Sequence, residues 1–271
     1  MAPENQQSTQ PAPRDSAMML GALGILAYAA SMMTHEALGH GGYCLALGGH
    51  NVMLTTLGEA CSVQPHGIEA AGPAMQFGAG LMAWFVVHRL SPGAARLRYF
   101  FWLYMVFNLF VSSGYIVFSG VTDFGDAAVM ISGLYPHIVW RGGLILFGSV
   151  LYLLSMRAAA LELNRFAGLD DGHGRLSRLV WIPYATAGVF ACCAGALNPL
   201  NRTMGHGAAI GLAVASSFGG TWGILRLPDM QRRMAATASL PTIYLTLNAA
   251  WCVAAGVVAI GFLVFIGPGL G

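Results

Sequence analysis

Long apolar stretches alternate with short polar connections along most of the chain. A membrane-spanning helix needs about 20 consecutive apolar residues. The pattern therefore predicts seven spanning helices, at about 17–38, 70–89, 99–120, 137–160, 178–197, 205–226 and 240–267. Between the first two, a glycine pair precedes the strand-like segment "NVMLTT". This segment predicts a short β-like re-entrant loop.

The composition agrees with a membrane protein. Of the 271 residues, 56% are hydrophobic and only 9% are charged, whereas soluble domains carry about 25% charged residues. The fold class that we predict is an all-α polytopic membrane protein, with membrane lipid as its surroundings. The polar, Pro-rich residues 1–16 predict a disordered tail. No basic stripe indicates nucleic acid as a partner, and nothing in the sequence indicates an oligomeric state.

The arginines predict an orientation. All 13 basic residues are arginines, and ten of them lie around the connections after the second, fourth and sixth spans. Because basic residues favour cytoplasmic loops, we expect a cytoplasmic N-terminus and an integral location in a bacterial inner membrane. The polar residues that close the first and third spans would then lie near the outer face.

The end of the first span carries the candidate chemistry, in the string "HEALGH". Ionisable residues at membrane depth indicate a functional site. His35 and His40 are five residues apart, which on a regular α-helix separates them by about 140°. Either a π-bulge, or a helix end at Gly39, brings both histidines to one ion. Alternatively the helix stays regular, and Glu36 and His40 become the two ligands.

Further candidate ligands lie at other predicted span ends. Asp126 follows Gly125, which allows a close backbone approach, while Asp123 is a second carboxylate that would also suit a helix N-cap. The remaining candidates, for a further ligand or an oxyanion-stabilising group, are His206, Asn198 and Asn201. Cys44 and Cys61 flank the re-entrant loop and could pair in an oxidising compartment.

Together these features resemble the site-2 protease family of intramembrane zinc metallopeptidases. The resemblance spans about residues 20–130. It rests on three motifs, which are His35-Glu36 with His40 in the first span, Ala71-Gly72-Pro73 at the start of the second and Asn108-Leu109 in the third. Gln76 stands where the family usually has asparagine. It implies a three-helix metallopeptidase-like core at 17–130. Residues 131–271 would then form an additional helical bundle.

The resemblance implies a membrane-embedded zinc hydrolase. His35, His40 and Asp126 would hold Zn²⁺, although these ligands also suit iron or another divalent metal. Glu36 would be the general base. The substrate would be a transmembrane or membrane-proximal peptide that pairs with a strand edge at 50–57.

Two alternatives come from other classes of protein. The first is a non-proteolytic metal-binding membrane protein, such as an assembly factor, a metal carrier or an accessory subunit. It follows if Glu36 is a ligand and not a base. The second is a protease-like core that binds no metal.

Overall fold

The fold is known from a computed structural model that describes residues 14–63, 67–91, 93–166, 174–205, 207–234 and 243–270. Within these ranges, seven helices are long and apolar enough to span a membrane. They are Ala17–Ala46, Ile68–Arg89, Ala95–Thr122, His137–Leu163, Gly174–Ala196, Ala208–Met234 and Ala249–Ile266. The predicted fold class is therefore confirmed: the chain is an all-α integral membrane protein.

Three of the spans are not regular α-helices throughout. The first is α-helical over Ala17–Met33, π-helical over Thr34–Gly41 and α-helical again over Gly42–Ala46. The sixth contains four segments: α Ala208–Val214, π Ala215–Gly219, 3₁₀ Trp222–Arg226 and α Leu227–Met234. The seventh ends in a π-helix, after α Ala249–Gly261, at Phe262–Ile266. Two short helices, Asp126–Ile131 and Leu200–Thr203, lie in connections.

The first span lies at the centre of the bundle. It packs against the third, fifth and seventh spans, and the fourth packs along the third. One buried core contains residues from all seven spans, so the predicted regions 17–130 and 131–271 pack as a single bundle. The fourth and seventh spans turn large apolar side chains outward, as expected of surfaces that contact lipid. Examples are Leu146, Leu153, Val257 and Ile260.

The re-entrant loop is a β-hairpin. Strand β1, Asn51–Leu54, pairs antiparallel with strand β2, Glu59–Cys61. Cys44 and Cys61 form a disulfide, which ties β2 to the end of the first span. Leu54 also pairs with Leu270 through two backbone hydrogen bonds of 2.8 and 2.9 Å. The hairpin is thus fixed at both ends, beside the residues that the sequence analysis singled out.

The predicted N-terminal tail falls mostly on residues 1–13, outside the described residues. Its last residues are bound to the bundle. The carboxylate of Asp15 accepts a 2.6 Å hydrogen bond from Arg175 and another of 2.8 Å from the backbone N–H of Leu245. Ser16 is the N-cap of the first helix, where its hydroxyl accepts a hydrogen bond from the N–H of Met19. Asp15 and Ser16, the last two residues of the predicted tail, therefore belong to the bundle.

The close contact of the first and fifth spans gives a testable prediction. A Cβ at Gly24 would lie 2.7 Å from Pro183 Cα, and overpacking of this kind costs about 1–3 kcal/mol. We expect Gly24→Ala to lower the thermal unfolding midpoint of the protein in detergent micelles.

Gly78→Ala is the matched control, because a Cβ at Gly78 meets nothing within 4 Å and alanine favours helix. Its midpoint should be unchanged or higher. An unchanged midpoint for Gly24→Ala would contradict the close packing of these two spans.

Candidate metal centre

The π-helical segment of the first span determines how the two histidines are placed. In a π-helix the backbone hydrogen bonds join residues i and i+5, so residues five apart become neighbours on one face. His35 Nε2 and His40 Nε2 lie 3.2 Å apart. Of the alternatives from the sequence, the π-bulge is therefore the one that forms. The regular helix that the other alternative required is wrong, because Thr34–Gly41 is π-helical.

Gly39 lies at the point where the π-helix meets the second span. A Cβ there would lie 2.5 Å from Gly72 Cα and 3.0 Å from the carbonyl oxygen of Ala71. The backbones of the two spans are in direct contact at this pair of glycines. This contact holds the start of the second span against both histidines.

Asp126 completes a group of three donor atoms. Its Oδ2 lies 3.2 Å from His35 Nε2 and 3.3 Å from His40 Nε2. The chain reaches this position through two left-handed residues after the third span, Asp123 at φ 56° and Gly125 at φ 90°. Asp126 then begins the short helix Asp126–Ile131.

Asp123, the rival carboxylate, points elsewhere. Its two oxygens lie 2.9 and 3.0 Å from His137 Nε2, and Arg141 is 3.8 Å away. The predicted N-cap role is not the one that forms, since Asp123 instead ends the third span as its left-handed C-cap. The structure thus brings Asp126 to the histidines and pairs Asp123 with the fourth span.

The outer ring nitrogens fix how each histidine is protonated. His40 Nδ1 lies 2.7 Å from the carbonyl oxygen of Ile68, which can only accept, so Nδ1 carries the proton. His35 Nδ1 lies 3.1 Å from Gln76 Oε1. The other end of that amide, Nε2, donates to Ser31 Oγ at 3.1 Å, which orients Oε1 as the acceptor. When the imidazoles are neutral, both Nε2 lone pairs therefore face the centre. Histidines that bind metals are usually held in the same way, by a hydrogen bond from the ring nitrogen that does not bind the metal.

The three inner atoms require a positive charge between them. Two nitrogen lone pairs and a carboxylate oxygen within 3.3 Å repel one another unless a proton or a metal ion is shared. Their spacing also fits a metal: ligand atoms about 2.0–2.1 Å from a tetrahedral zinc ion are about 3.3 Å apart. These residues therefore fit a small divalent cation.

The charge of Asp126 fits the same arrangement. Burial alone would raise the pKa of this carboxyl, but when His35 and His40 carry protons at Nε2, their hydrogen bonds and positive charges outweigh that effect and lower the pKa to about 2. Asp126 is therefore ionised throughout the physiological range, and supplies the negative charge that a cation between the three donors would need.

The second span contributes an open space as well as hydrogen-bond partners. A Cβ built on Gly72 would lie 2.8 Å from His35 Nε2, and it would collide with His40 Nε2 as well. Any side chain at this position would therefore enter the space into which both nitrogens point. This is a physical reason for glycine in the Ala-Gly-Pro segment.

Glu36 lies next to the three donors and forms a second possible ligand group with the two histidines. One of its carboxylate oxygens and the ligand atoms of His35 and His40 all lie within 4.8 Å of one another, close enough for these three residues to hold a metal ion. The side chain is 8% exposed. Among the described residues, its Oε2 has no hydrogen-bond partner. A buried carboxylate oxygen without a donor is costly, and the position suits a bound water or substrate group.

Two cavities meet at this centre. The larger, about 930 Å³, lies between the first, third, fourth and sixth spans and is mostly apolar. The smaller, about 250 Å³, lies beside the hairpin and includes Glu59 and Glu69. Both are lined by the same five residues at the centre: His35, Glu36, Leu57, Tyr115 and Asp126. The candidate centre is therefore open to an apolar chamber and to a polar one.

Asn198 and Asn201, two other candidates from the sequence, form hydrogen bonds within and between helices and do not reach the metal centre. Asn198 Oδ1 accepts a 2.9 Å hydrogen bond from the N–H of Leu200. The Asn201 side chain bonds the carbonyl of Gly195 and the N–H of Ala209, joining the fifth and sixth spans. Neither contacts the histidines. His206 lies outside the described residues.

Comparisons with known proteins give no further identification. No protein-family model matches the chain, and searches of characterised proteins and of solved structures found no match either. The resemblance to the site-2 protease family therefore stays a prediction based on the motifs.

Proposed function

We propose that this protein is a membrane-embedded zinc-dependent hydrolase, and specifically an intramembrane metallopeptidase. The observation that supports it most is the convergence of His35 Nε2, His40 Nε2 and Asp126 Oδ2 within 3.3 Å, beside a buried and unpartnered Glu36 oxygen. Catalytic zinc sites have three protein ligands and keep the fourth position open for water. A carboxylate beside that position can act as the general base.

The roles follow from the positions of the side chains. Zinc, when bound, would lower the pKa of a water ligand towards about 7 and polarise the substrate carbonyl. Glu36 takes the proton of the attacking water and passes it to the leaving amine. Gln76 and the carbonyl of Ile68 hold the imidazoles in the tautomer that the ligand role needs.

The larger cavity suggests where a substrate lies. Its apolar lining, between four spans, suits a transmembrane or membrane-proximal peptide. An extended peptide could also pair with β1 as an added strand. It would have to use the edge at 51–53, or displace Leu270 from Leu54.

That occupied edge favours the second candidate function, a non-proteolytic metal-binding membrane protein. If Leu270 stays paired with Leu54, a substrate strand has less of β1 to bind. Such a protein would use the same three ligands to hold zinc, iron or another divalent metal, and would have no need of Glu36 as a base.

The disulfide supports an orientation for the site. Disulfides persist in oxidising compartments, and Cys44–Cys61 lies beside the candidate centre. The arginine distribution assigns the same end of the first span to the outer side. We propose a bacterial inner-membrane location with a cytoplasmic N-terminus and the metal centre near the outer face.

One prediction from this proposal concerns zinc affinity. Gly72→Ala should weaken zinc binding more than about ten-fold. The loss of one hydrogen bond that supports a ligand already lowers metal affinity about ten-fold or more, and the new methyl group would displace both imidazoles. Zinc affinity is measured by competition with a chromogenic chelator in detergent. Gly78→Ala, on the same helix with open space around it, is the control. Equal affinity in the two variants would argue against a metal at this position.

Another prediction separates the two candidate functions. Glu36→Gln should keep full zinc content and lose about 10²–10⁴-fold in the rate of peptide hydrolysis, since a general base contributes that much. Cleavage is followed with a pool of quenched fluorescent peptides in micelles. Glu69→Gln, in the same polar cavity, should cleave at the wild-type rate.

If Glu36→Gln instead loses its zinc, Glu36 is a ligand and the non-proteolytic alternative is favoured. If the variant cleaves at the wild-type rate, the general-base role is wrong.

A further inference from the structure

Tyr115 projects from the third span to the boundary between the two cavities. Its hydroxyl oxygen accepts a hydrogen bond from the backbone N–H of Asp126, at 3.3 Å. Its ring meets the His35 ring edge-on, with centroids 5.9 Å apart. The hydroxyl thus contacts the backbone of one candidate ligand, the ring packs against a second, and the residue lines both chambers.

The hydrogen-bonding capacity of this hydroxyl is only half used. A tyrosine hydroxyl can accept and donate, and the N–H of Asp126 uses the accepting side. Among the described residues, no acceptor lies within hydrogen-bonding distance of its O–H. A mostly buried donor without an acceptor is unfavourable, so this proton is available to a group that enters the cavity.

Other tyrosines around the larger cavity differ in this respect. The Tyr28 hydroxyl pairs with Ser216 Oγ at 3.5 Å. The Tyr152 hydroxyl donates to the carbonyl of Gly220 and accepts from the N–H of Gly223, both at 3.0 Å. Their hydroxyls join helices to one another, whereas the Tyr115 hydroxyl has protein contact on one side only.

The turn before Asp126 leaves room for the Tyr115 hydroxyl. Gly125 has φ 90°, and a Cβ there would collide with that hydroxyl. Glycine therefore serves two purposes: it adopts the left-handed conformation and it lets the phenol reach the backbone N–H of Asp126. The same turn positions the metal ligand and the phenol.

We propose that Tyr115 is a catalytic residue that donates a hydrogen bond to the substrate carbonyl oxygen as that oxygen becomes an oxyanion. This role rests on the proposed hydrolase function. Water oxygen bonds to the carbonyl carbon, the C=O π pair moves to oxygen, and Glu36 accepts the water proton. The C=O then re-forms as the C–N bond breaks, and that proton passes to the amine nitrogen. Tyr115 stays protonated throughout, and its O–H stabilises the negative oxygen.

The experiment uses a probe that needs no known substrate. Acetohydroxamate binds open zinc sites through oxygens that carry negative charge, so it presents an acceptor like the oxyanion. Its affinity is measured by calorimetry on zinc-loaded wild type, Tyr115→Phe and Tyr28→Phe in detergent. We expect full zinc content in all three. The affinity of Tyr115→Phe should fall about ten-fold or more, because a hydrogen bond to a charged group is lost. That of Tyr28→Phe should match wild type.

Each other outcome has a definite meaning. Equal acetohydroxamate affinity in zinc-loaded Tyr115→Phe and wild type would overturn the role of Tyr115 and leave the metal site intact. Loss of zinc from Tyr115→Phe would show that the phenol acts only by positioning Asp126, which also overturns it. Wild type that binds no zinc would overturn the proposed function, and the role of Tyr115 with it.

Discussion

The five-residue spacing of His35 and His40 is the constraint on which the candidate centre depends. A regular α-helix would direct these side chains about 140° apart, and no other part of the bundle could then bring their nitrogens together. The π-helical turn Thr34–Gly41 removes that obstacle, and it fits only because Gly39 and Gly72 let two backbones touch. The packing of the first span against the second is therefore part of the chemistry of the site.

Electrostatic repulsion explains why several neighbouring groups orient the two Nε2 atoms and the Asp126 oxygen at the centre. In a low-dielectric interior, two lone pairs and a carboxylate at 3.2–3.3 Å are tolerable only with a proton or a metal ion among them. Gln76 and the Ile68 carbonyl prevent the imidazoles from turning their N–H groups inward. Glu36 adjoins this set with a buried oxygen that has no hydrogen-bond partner, and our proposal assigns it the proton of the attacking water.

Much of this could be predicted from the sequence, because apolar length determines spanning helices. All seven spans, the hairpin and a π-bulge near Gly39 were within reach of periodicity and turn signals. The choice between Asp126 and Asp123 was not, because it depends on two left-handed residues whose direction no pattern reveals. Tyr115 and the Ile68 carbonyl were missed for a similar reason: their importance comes from proximity across helices, and neither belongs to a motif.

The central claim is that His35 and His40, five residues apart, hold one metal ion together with a carboxylate. Zinc K-edge X-ray absorption on the purified, zinc-loaded protein tests it most directly. We expect about four nitrogen and oxygen neighbours at about 2.0–2.1 Å, with the multiple-scattering pattern of two imidazoles. That pattern should be absent from a His35→Ala/His40→Ala double variant. The same spectrum in both proteins, or no saturable zinc in wild type, would contradict the claim.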